Sequence, residues 1–235
     1  CTLSAINWGK INKPADFQKP CELAVRGLDA LLDYQDYPVK AARNATMKRR
    51  PLGVGIINLA YWLAKNNTNY EKPNLELLDE YAEAWSFFLI KASADLAKEQ
   101  VAPSGFTETK YSQGLMPIDT RKKEIDELIP HVERQNWGGL RKDIMEWGIK
   151  NSTLMALMPS ETSAQIANAT NGIEPPRSFV SIKQSKDGVL KQVVPGIHKL
   201  RSKYNLLWDQ KSPEGYLKIC AVLQKYIDQG ISVNT

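Results

Sequence analysis

The sequence predicts a helix-rich α/β fold, and three observations carry that prediction. Leu154 to Met158 is a short apolar run bounded by Asn151-Ser152 and Pro159. Those boundaries suit a buried strand, which Pro159 stops because it cannot donate to a sheet ladder. Residues 75–100 place Leu78, Ala82, Trp85, Leu89, Ala92 and Leu96 in steps of four and three, the stripe of a long amphipathic helix. Phe179 to Gln184 and Val189 to Val194 flank Ser185-Lys-Asp-Gly188, whose Asp-Gly pair signals a hairpin. Helices thus dominate, with strands between them.

Taken in order, Cys1 to Ile6 reads as a strand, and Asn7 to Pro20 as a turn and entry. Ala24, Leu28, Leu31 and Leu32 fall on one helical face. That helix ends near Tyr34 to Pro38, since residues before proline leave the helical region. Arg50-Pro-Leu-Gly-Val-Gly55 leads into an apolar helix from Ile56 to Lys65. Gly53-Val-Gly55 lacks the third glycine and the following acidic residue of a dinucleotide fingerprint, so close backbone packing explains it better. Asn74 caps the long helix, with Tyr81 and Phe88 widening its stripe as core. Val101 to Thr120 is a loop punctuated by Pro103, Gly105, Gly114 and Pro117. Trp137, Leu140, Ile144 and Trp147 mark another amphipathic helix, which delivers the chain to the run at Leu154. After the hairpin come two more helices. The second has Ser212 as N-cap, Pro213 at its first position, Tyr216, Ile219, Leu223 and Ile227 on one face, and Gly230 at its end.

The 235 residues, 43% hydrophobic and 24% charged, suit one globular domain or a large part of one. No apolar run has the length of a membrane span, and the polar, mixed N-terminus does not read as a signal peptide. Cys1, Cys21 and Cys220 are too few and too unevenly spaced for a disulfide framework, which points to a reducing cytoplasm. His131 and His198 stand without metal-ligand spacing. The net charge is +5 and the pI about 9.0. Lys40, Arg43, Lys48, Arg49 and Arg50 concentrate some of it. With no aromatic interleaving, these read as a solvated loop or a contact surface rather than a nucleic-acid patch.

The stretch after Pro159 carries the chemistry. Ser160, Glu161, Thr162 and Ser163 precede Ala164 to Ala167, which can continue as a helix. Thr162 with Gln165 has capping-box spacing, and Ser160 is an alternative N-cap. A helix N-terminus offers unpaired N–H groups and a partial positive charge, so a hydroxyl-rich turn there can hold a phosphate without a lysine. Capping alone is the commoner role for such residues.

Met158-Pro-Ser-Glu-Thr-Ser163 and Asn168-Ala-Thr-Asn-Gly-Ile-Glu-Pro-Pro176 resemble the catalytic large subunit of class I aerobic ribonucleotide reductases, of bacterial and phage type. Cys1-Thr-Leu-Ser-Ala-Ile-Asn-Trp-Gly9, Leu28 to Pro38, Arg49 to Asn58, Ser181 to Gly188 and Gln224 to Thr235 extend the resemblance along the chain. It implies that residues 1–235 are a single piece, truncated at both ends, of the family's ten-stranded α/β barrel, chiefly its second half. By the same resemblance, Cys1 is one of the redox-active cysteine pair, and Ser160, Glu161, Thr162 and Ser163 bind the phosphates of a ribonucleoside diphosphate. Glu161 would contribute its backbone, since its carboxylate would repel phosphate. Cys21 and Cys220 match no family cysteine and read as structural.

The resemblance further implies deoxyribonucleotide synthesis by thiyl-radical chemistry. It implies no cofactor or metal in this segment, a radical from a metal-containing small subunit, and nucleotide effectors bound elsewhere. Thioredoxin or glutaredoxin would be the reductant, and the remaining segments of the large subunit would be partners, the piece being inactive alone. The alternative is a non-catalytic scaffold or nucleic-acid-binding module derived from half a barrel.

Overall fold

The computed structural model describes residues 2–186 and 188–234, so Cys1, Asp187 and Thr235 lie outside the described residues. In order, its strands and helices are β1 (Thr2–Asn7), α1 (Gln18–Tyr34), α2 (Lys40–Arg49), β2 (Leu52–Ile57), α3 (Leu59–Lys65), α4 (Leu75–Gln100), the single turns α5 (Pro117–Thr120) and α6 (Ile125–Leu128), α7 (Trp137–Trp147), α8 (Glu161–Ile166), β3 (Val180–Ser185), β4 (Gly188–Val193), the short α9 (Ile197–Leu200) and α10 (Glu214–Gln224).

β1 and β2 run parallel, from Thr2 opposite Leu52 to Asn7 opposite Ile57, with α1 and α2 in the crossover that a parallel pair requires. Every residue of β2 is buried, as befits a strand covered on both faces. Beyond β2 the run at Leu154 is extended and parallel. It is joined by bridges Val54 to Met155 and Leu157 to Ile231, and by the bonds from Leu52 N to Thr153 O (3.0 Å) and Val54 N to Leu154 O (2.7 Å). The run is too irregular to be a full ladder, but its place as a buried strand is as expected. Four parallel segments therefore lie side by side in the order β1, β2, 153–157 and 230–232. The α/β class holds, and among the described residues this wall is open. A Cβ on Gly55 would come within 2.6 Å of the Met158 sulfur, so the glycine permits the close approach of segments two and three.

α4 is the spine. Its predicted stripe is buried throughout, and Asn74 caps it by accepting from Leu77 N at 3.1 Å. Against it pack Trp8, Phe17 and Trp62, in edge-to-face pairs with one another and with Tyr81 of α4 itself, such as Trp8–Trp62 at 5.4 Å and Trp62–Tyr81 at 5.0 Å between centroids. Two buried carboxylates tie the spine to distant chain. Asp79 accepts from Lys225 Nζ (2.8 Å), Tyr226 Oη (2.7 Å) and Arg134 Nη1 (2.9 Å). Glu83 accepts from Arg134 N (2.6 Å), Gln135 N (2.9 Å) and Trp137 Nε1 (3.0 Å).

Several expectations are corrected. Residues 40–49 form a helix with no buried side chain, not a loop. Arg50 is buried, in a left-handed conformation, and forked onto Asp29 and Asp33, while Lys48 and Arg49 pair with Glu108. The basic cluster is thus largely neutralised. α1 buries Cys21, Val25, Leu28 and Leu32, leaving Leu31 exposed, because the face is set by α4 and β1 rather than by the densest leucines. Ile56 and Ile57 belong to β2, and the following helix starts only at Leu59. Trp147 is 50% exposed. α10 stops at Gln224, well before Gly230, where tight turns at Tyr226 and Ile227 swing Lys225 into the core toward Asp79. Glu214 N does donate to Ser212 Oγ (3.1 Å), although Pro213 occupies the N-cap. The hairpin forms with Ser185 opposite Gly188.

Asp228 anchors the start of the third segment. Its carboxylate accepts from Leu154 N (2.8 Å), Met155 N (2.9 Å) and Tyr111 Oη (2.8 Å). Burial outweighs these bonds and pushes its pKa up from 3.8 to about 6. The native state therefore holds a proton that the unfolded chain has released between pH 4 and 6. The stability due to this group is complete below about pH 4 and falls by about 3 kcal/mol as pH rises through 6. Urea midpoints across that range are expected to show this slope, and Asp228→Asn to flatten it. Parallel curves for the two proteins would contradict the assignment.

Candidate functional site

In open parallel sheets, ligands sit at the carboxyl ends of the strands. Here three such ends converge. β1 ends at Asn7, β2 runs into Asn58, and the third segment turns at Met158-Pro-Ser160. Of the predicted site residues, Ser160, Glu161, Thr162 and Ser163 lie together at this rim.

The local geometry differs from the predicted capping box. The helix begins at Glu161, with Ser160 as N-cap, so Thr162 lies inside the first turn and cannot cap it. Nor does the Ser160 hydroxyl cap the helix, since it donates to Met158 O at 3.3 Å. Ser160 O accepts from Ala164 N at 2.8 Å and Ser163 Oγ at 3.5 Å. Among the described residues, nothing accepts the backbone N–H groups of Glu161, Thr162 or Ser163, as expected of a first helical turn. Thr162 and Ser163 are exposed while Ser160 is buried. Glu161 turns its carboxylate away to Lys183 of β3, at 3.0 Å. The result is a first turn with unpartnered amides, exposed Thr162 and Ser163, and its one carboxylate drawn aside.

Between this turn, the loop 169–176 and the hairpin lies a cleft of about 580 Å³, bordered by Glu161, Gln165, Thr170, Asn171, Arg177 and Lys183. A larger cavity, about 810 Å³, opens at the opposite ends of the strands, beside Tyr111, Met116, Thr153 and Asp228. It touches none of the predicted site residues, so size does not identify the site here.

Cys1, the predicted redox residue, lies outside the described residues. Cys21 is buried with its Sγ 3.8 Å from Trp85 O, and burial pushes its thiol pKa up strongly. Burial pushes Cys220 up to about 12. Thiols held protonated in this way are poor nucleophiles, which suits structural roles. Gly53-Val-Gly55 is buried in β2 and offers no phosphate loop. Among the described residues, no group of His, Cys, Asp and Glu could hold a metal ion, and no helix is long and apolar enough to cross a membrane.

Two residues that the sequence does not single out, Asn58 and Asn171, also shape the rim. Asn58 takes a left-handed conformation (φ 69°), and its side chain bonds both Asn7 and Thr170. Asn171 accepts the N–H of Ser160 at 2.9 Å. The available signal was an Asn at a strand-to-helix junction and the Asn-Gly pair at 171–172, both of which favour left-handed turns.

The family profile described as the ribonucleotide reductase barrel domain matches residues 1–235. The chain is 56% identical over 236 residues to the ribonucleoside-diphosphate reductase subunit alpha of Haemophilus influenzae, covering all of this chain and 31% of that protein. It is 52% identical over 205 residues to subunit alpha of the Escherichia coli K12 enzyme 1, covering 87% of this chain and 27% of that protein. It is 44% identical over 245 residues to the subunit alpha of phage T4, covering all of this chain and 31% of that protein. The chain thus spans less than a third of the length of these relatives.

Proposed function

Since the chain belongs to the ribonucleotide reductase barrel-domain family, we propose that it acts as a barrel segment of a ribonucleoside-diphosphate reductase alpha subunit, within the ten-stranded barrel of that family. In this reading Ser160, Glu161, Thr162 and Ser163 bind the substrate diphosphate. Outward amides, hydroxyls and the helix dipole meet the phosphate oxygens, and Glu161 contributes only its backbone. Cys1 is one of two cysteines that supply electrons. As the 2′ C–O bond of the ribose is replaced by C–H, the hydroxyl leaves as water and the two thiols become one disulfide. That disulfide is then reduced by a dithiol protein of the thioredoxin or glutaredoxin kind. The radical that starts the reaction comes from a metal-containing small subunit, effectors bind elsewhere in the alpha subunit, and the setting is the cytoplasm. A scaffold or nucleic-acid role is not favoured, because the relatives share one enzymatic name and the basic cluster is mostly paired.

The observation that carries this reading is the turn at 160–163, with unpartnered amides at the carboxyl ends of parallel strands and the family's sequence around it. Thr162→Ala and Ser163→Ala, each in the assembled reductase, are expected to weaken nucleoside-diphosphate binding by about 1–3 kcal/mol. Ser163→Pro, which removes a backbone donor, should weaken it more. Calorimetric titration checks this. Unchanged affinity in all three variants would reject the turn as the phosphate site.

A further inference from the structure

We propose that Asn58 and Asn171 are positioning residues which hold the turn at Ser160 in its diphosphate-binding shape without touching the substrate. This rests on the reading of that turn given above.

A continuous polar chain connects the end of β1 to the turn. Asn58, only 3% exposed, donates from Nδ2 to Asn7 Oδ1 at 3.0 Å. Its Oδ1 accepts Thr170 N at 3.0 Å, and its own backbone N donates to Thr170 O at 2.9 Å. Thr170 is thereby clasped on both its donor and its acceptor. Leu59 N reaches Gly172 O at 3.4 Å, a second tie across the same junction. Asn171, between the two tied residues, accepts from Ser160 N at 2.9 Å. The carboxamide of Asn58 is boxed in, since a Cβ on Gly9 would lie 2.4 Å from its Nδ2.

The consequence is mechanical. Ser160 is 7% exposed, so its N–H has no ready substitute in water if Asn171 is lost. Its carbonyl receives Ala164 N and starts the helix. Fixing the Ser160 peptide therefore fixes the direction in which the amides of residues 161 to 163 point. Phosphate affinity depends on that direction, because the donors must converge on one group of oxygens. Asn58 acts one step further back, by holding Thr170 and therefore the carboxamide of Asn171. Its left-handed backbone can be kept by glycine while the side chain is removed.

The test uses the assembled reductase with Asn171→Ala and, separately, Asn58→Gly. For each, the affinity for a nucleoside diphosphate, the affinity for the same nucleoside without phosphate, and thermal stability are measured, with Ser163→Asp as a reference. Diphosphate affinity is expected to fall about tenfold in both variants, through KM with kcat at saturation retained, while nucleoside affinity stays within about twofold. Unchanged diphosphate affinity in both variants, with Ser163→Asp impaired, would leave the phosphate turn standing and overturn the positioning role. A parallel fall in nucleoside affinity, diphosphate affinity and melting temperature would also overturn it, as a general structural effect. Unchanged affinity in Ser163→Asp as well would reject the phosphate turn itself, and this inference with it.

Discussion

Asp79→Ala is expected to destabilise the protein by about 3–5 kcal/mol, because it removes one half of a fully buried ion pair. Asp79 and the side chain of Lys225 are both wholly inaccessible, with Nζ 2.8 Å from Oδ1. Without the carboxylate, the Lys225 ammonium stays in the core, and among the described residues the contact left to it is the Tyr226 ring, 5.1 Å away. The Tyr226 hydroxyl loses its acceptor as well, while Arg134 retains Glu83. The damage reaches the candidate site through the chain. Lys225 and Tyr226 lead into Asp228, which holds the start of the third segment, and then Ile231, which bridges Leu157. The double replacement Asp79→Leu with Lys225→Met should regain a large part of the loss, since it leaves no unpaired charge behind. Urea unfolding at constant m-value measures both. A loss below about 1 kcal/mol in the single variant would mean that Lys225 finds water or another partner.

Cys1→Ser in the assembled reductase is expected to abolish multiple-turnover deoxynucleotide formation while leaving substrate affinity within about twofold. A hydroxyl keeps the size of the thiol but cannot share two-electron oxidation to a disulfide. The expectation rests on the match of residues 1–9 to the family, since Cys1 lies outside the described residues. Cys220→Ser is the control. Its thiol is held protonated by burial at neutral pH, so turnover should persist. Normal multiple turnover in Cys1→Ser would remove the cysteine from the reaction.

What could be read from the sequence was set by pattern. The α4 stripe, its Asn74 cap and the hairpin were legible because period, cap residue and turn chemistry agree there. Leu154 to Met158 was legible as a buried strand, although its partners are separated from it by up to about a hundred residues of sequence. β2 is not legible as a strand, because Leu52 to Ile57 is glycine-punctuated and otherwise apolar, and such a run does not declare where strand gives way to helix. α2 was missed because none of its side chains is buried, so no apolar period marks it. The end of α10 was misplaced because a buried Asp79, far away in sequence, draws Lys225 into the core and outweighs the glycine signal. At the site, the residues of the turn were legible from composition and resemblance. Of the two N-cap candidates there, Ser160 holds the position and Thr162 does not, so the helix starts two residues earlier than the Thr162–Gln165 spacing suggests. For Asn58 the local signal reaches only the left-handed backbone at a strand-to-helix junction, while its role depends on Thr170, more than a hundred residues away.

A turn at Ser160 to Ser163 that binds the substrate diphosphate, rather than simply starting a helix, answers differently to an added charge. The most direct measurement is Ser163→Asp in the assembled reductase, read simultaneously as nucleoside-diphosphate affinity and thermal stability. An added carboxylate in the first turn favours the helix dipole but opposes a bound phosphate. Lost affinity with unchanged or raised stability is expected. Unchanged affinity with raised stability would contradict it and reduce the turn to a cap.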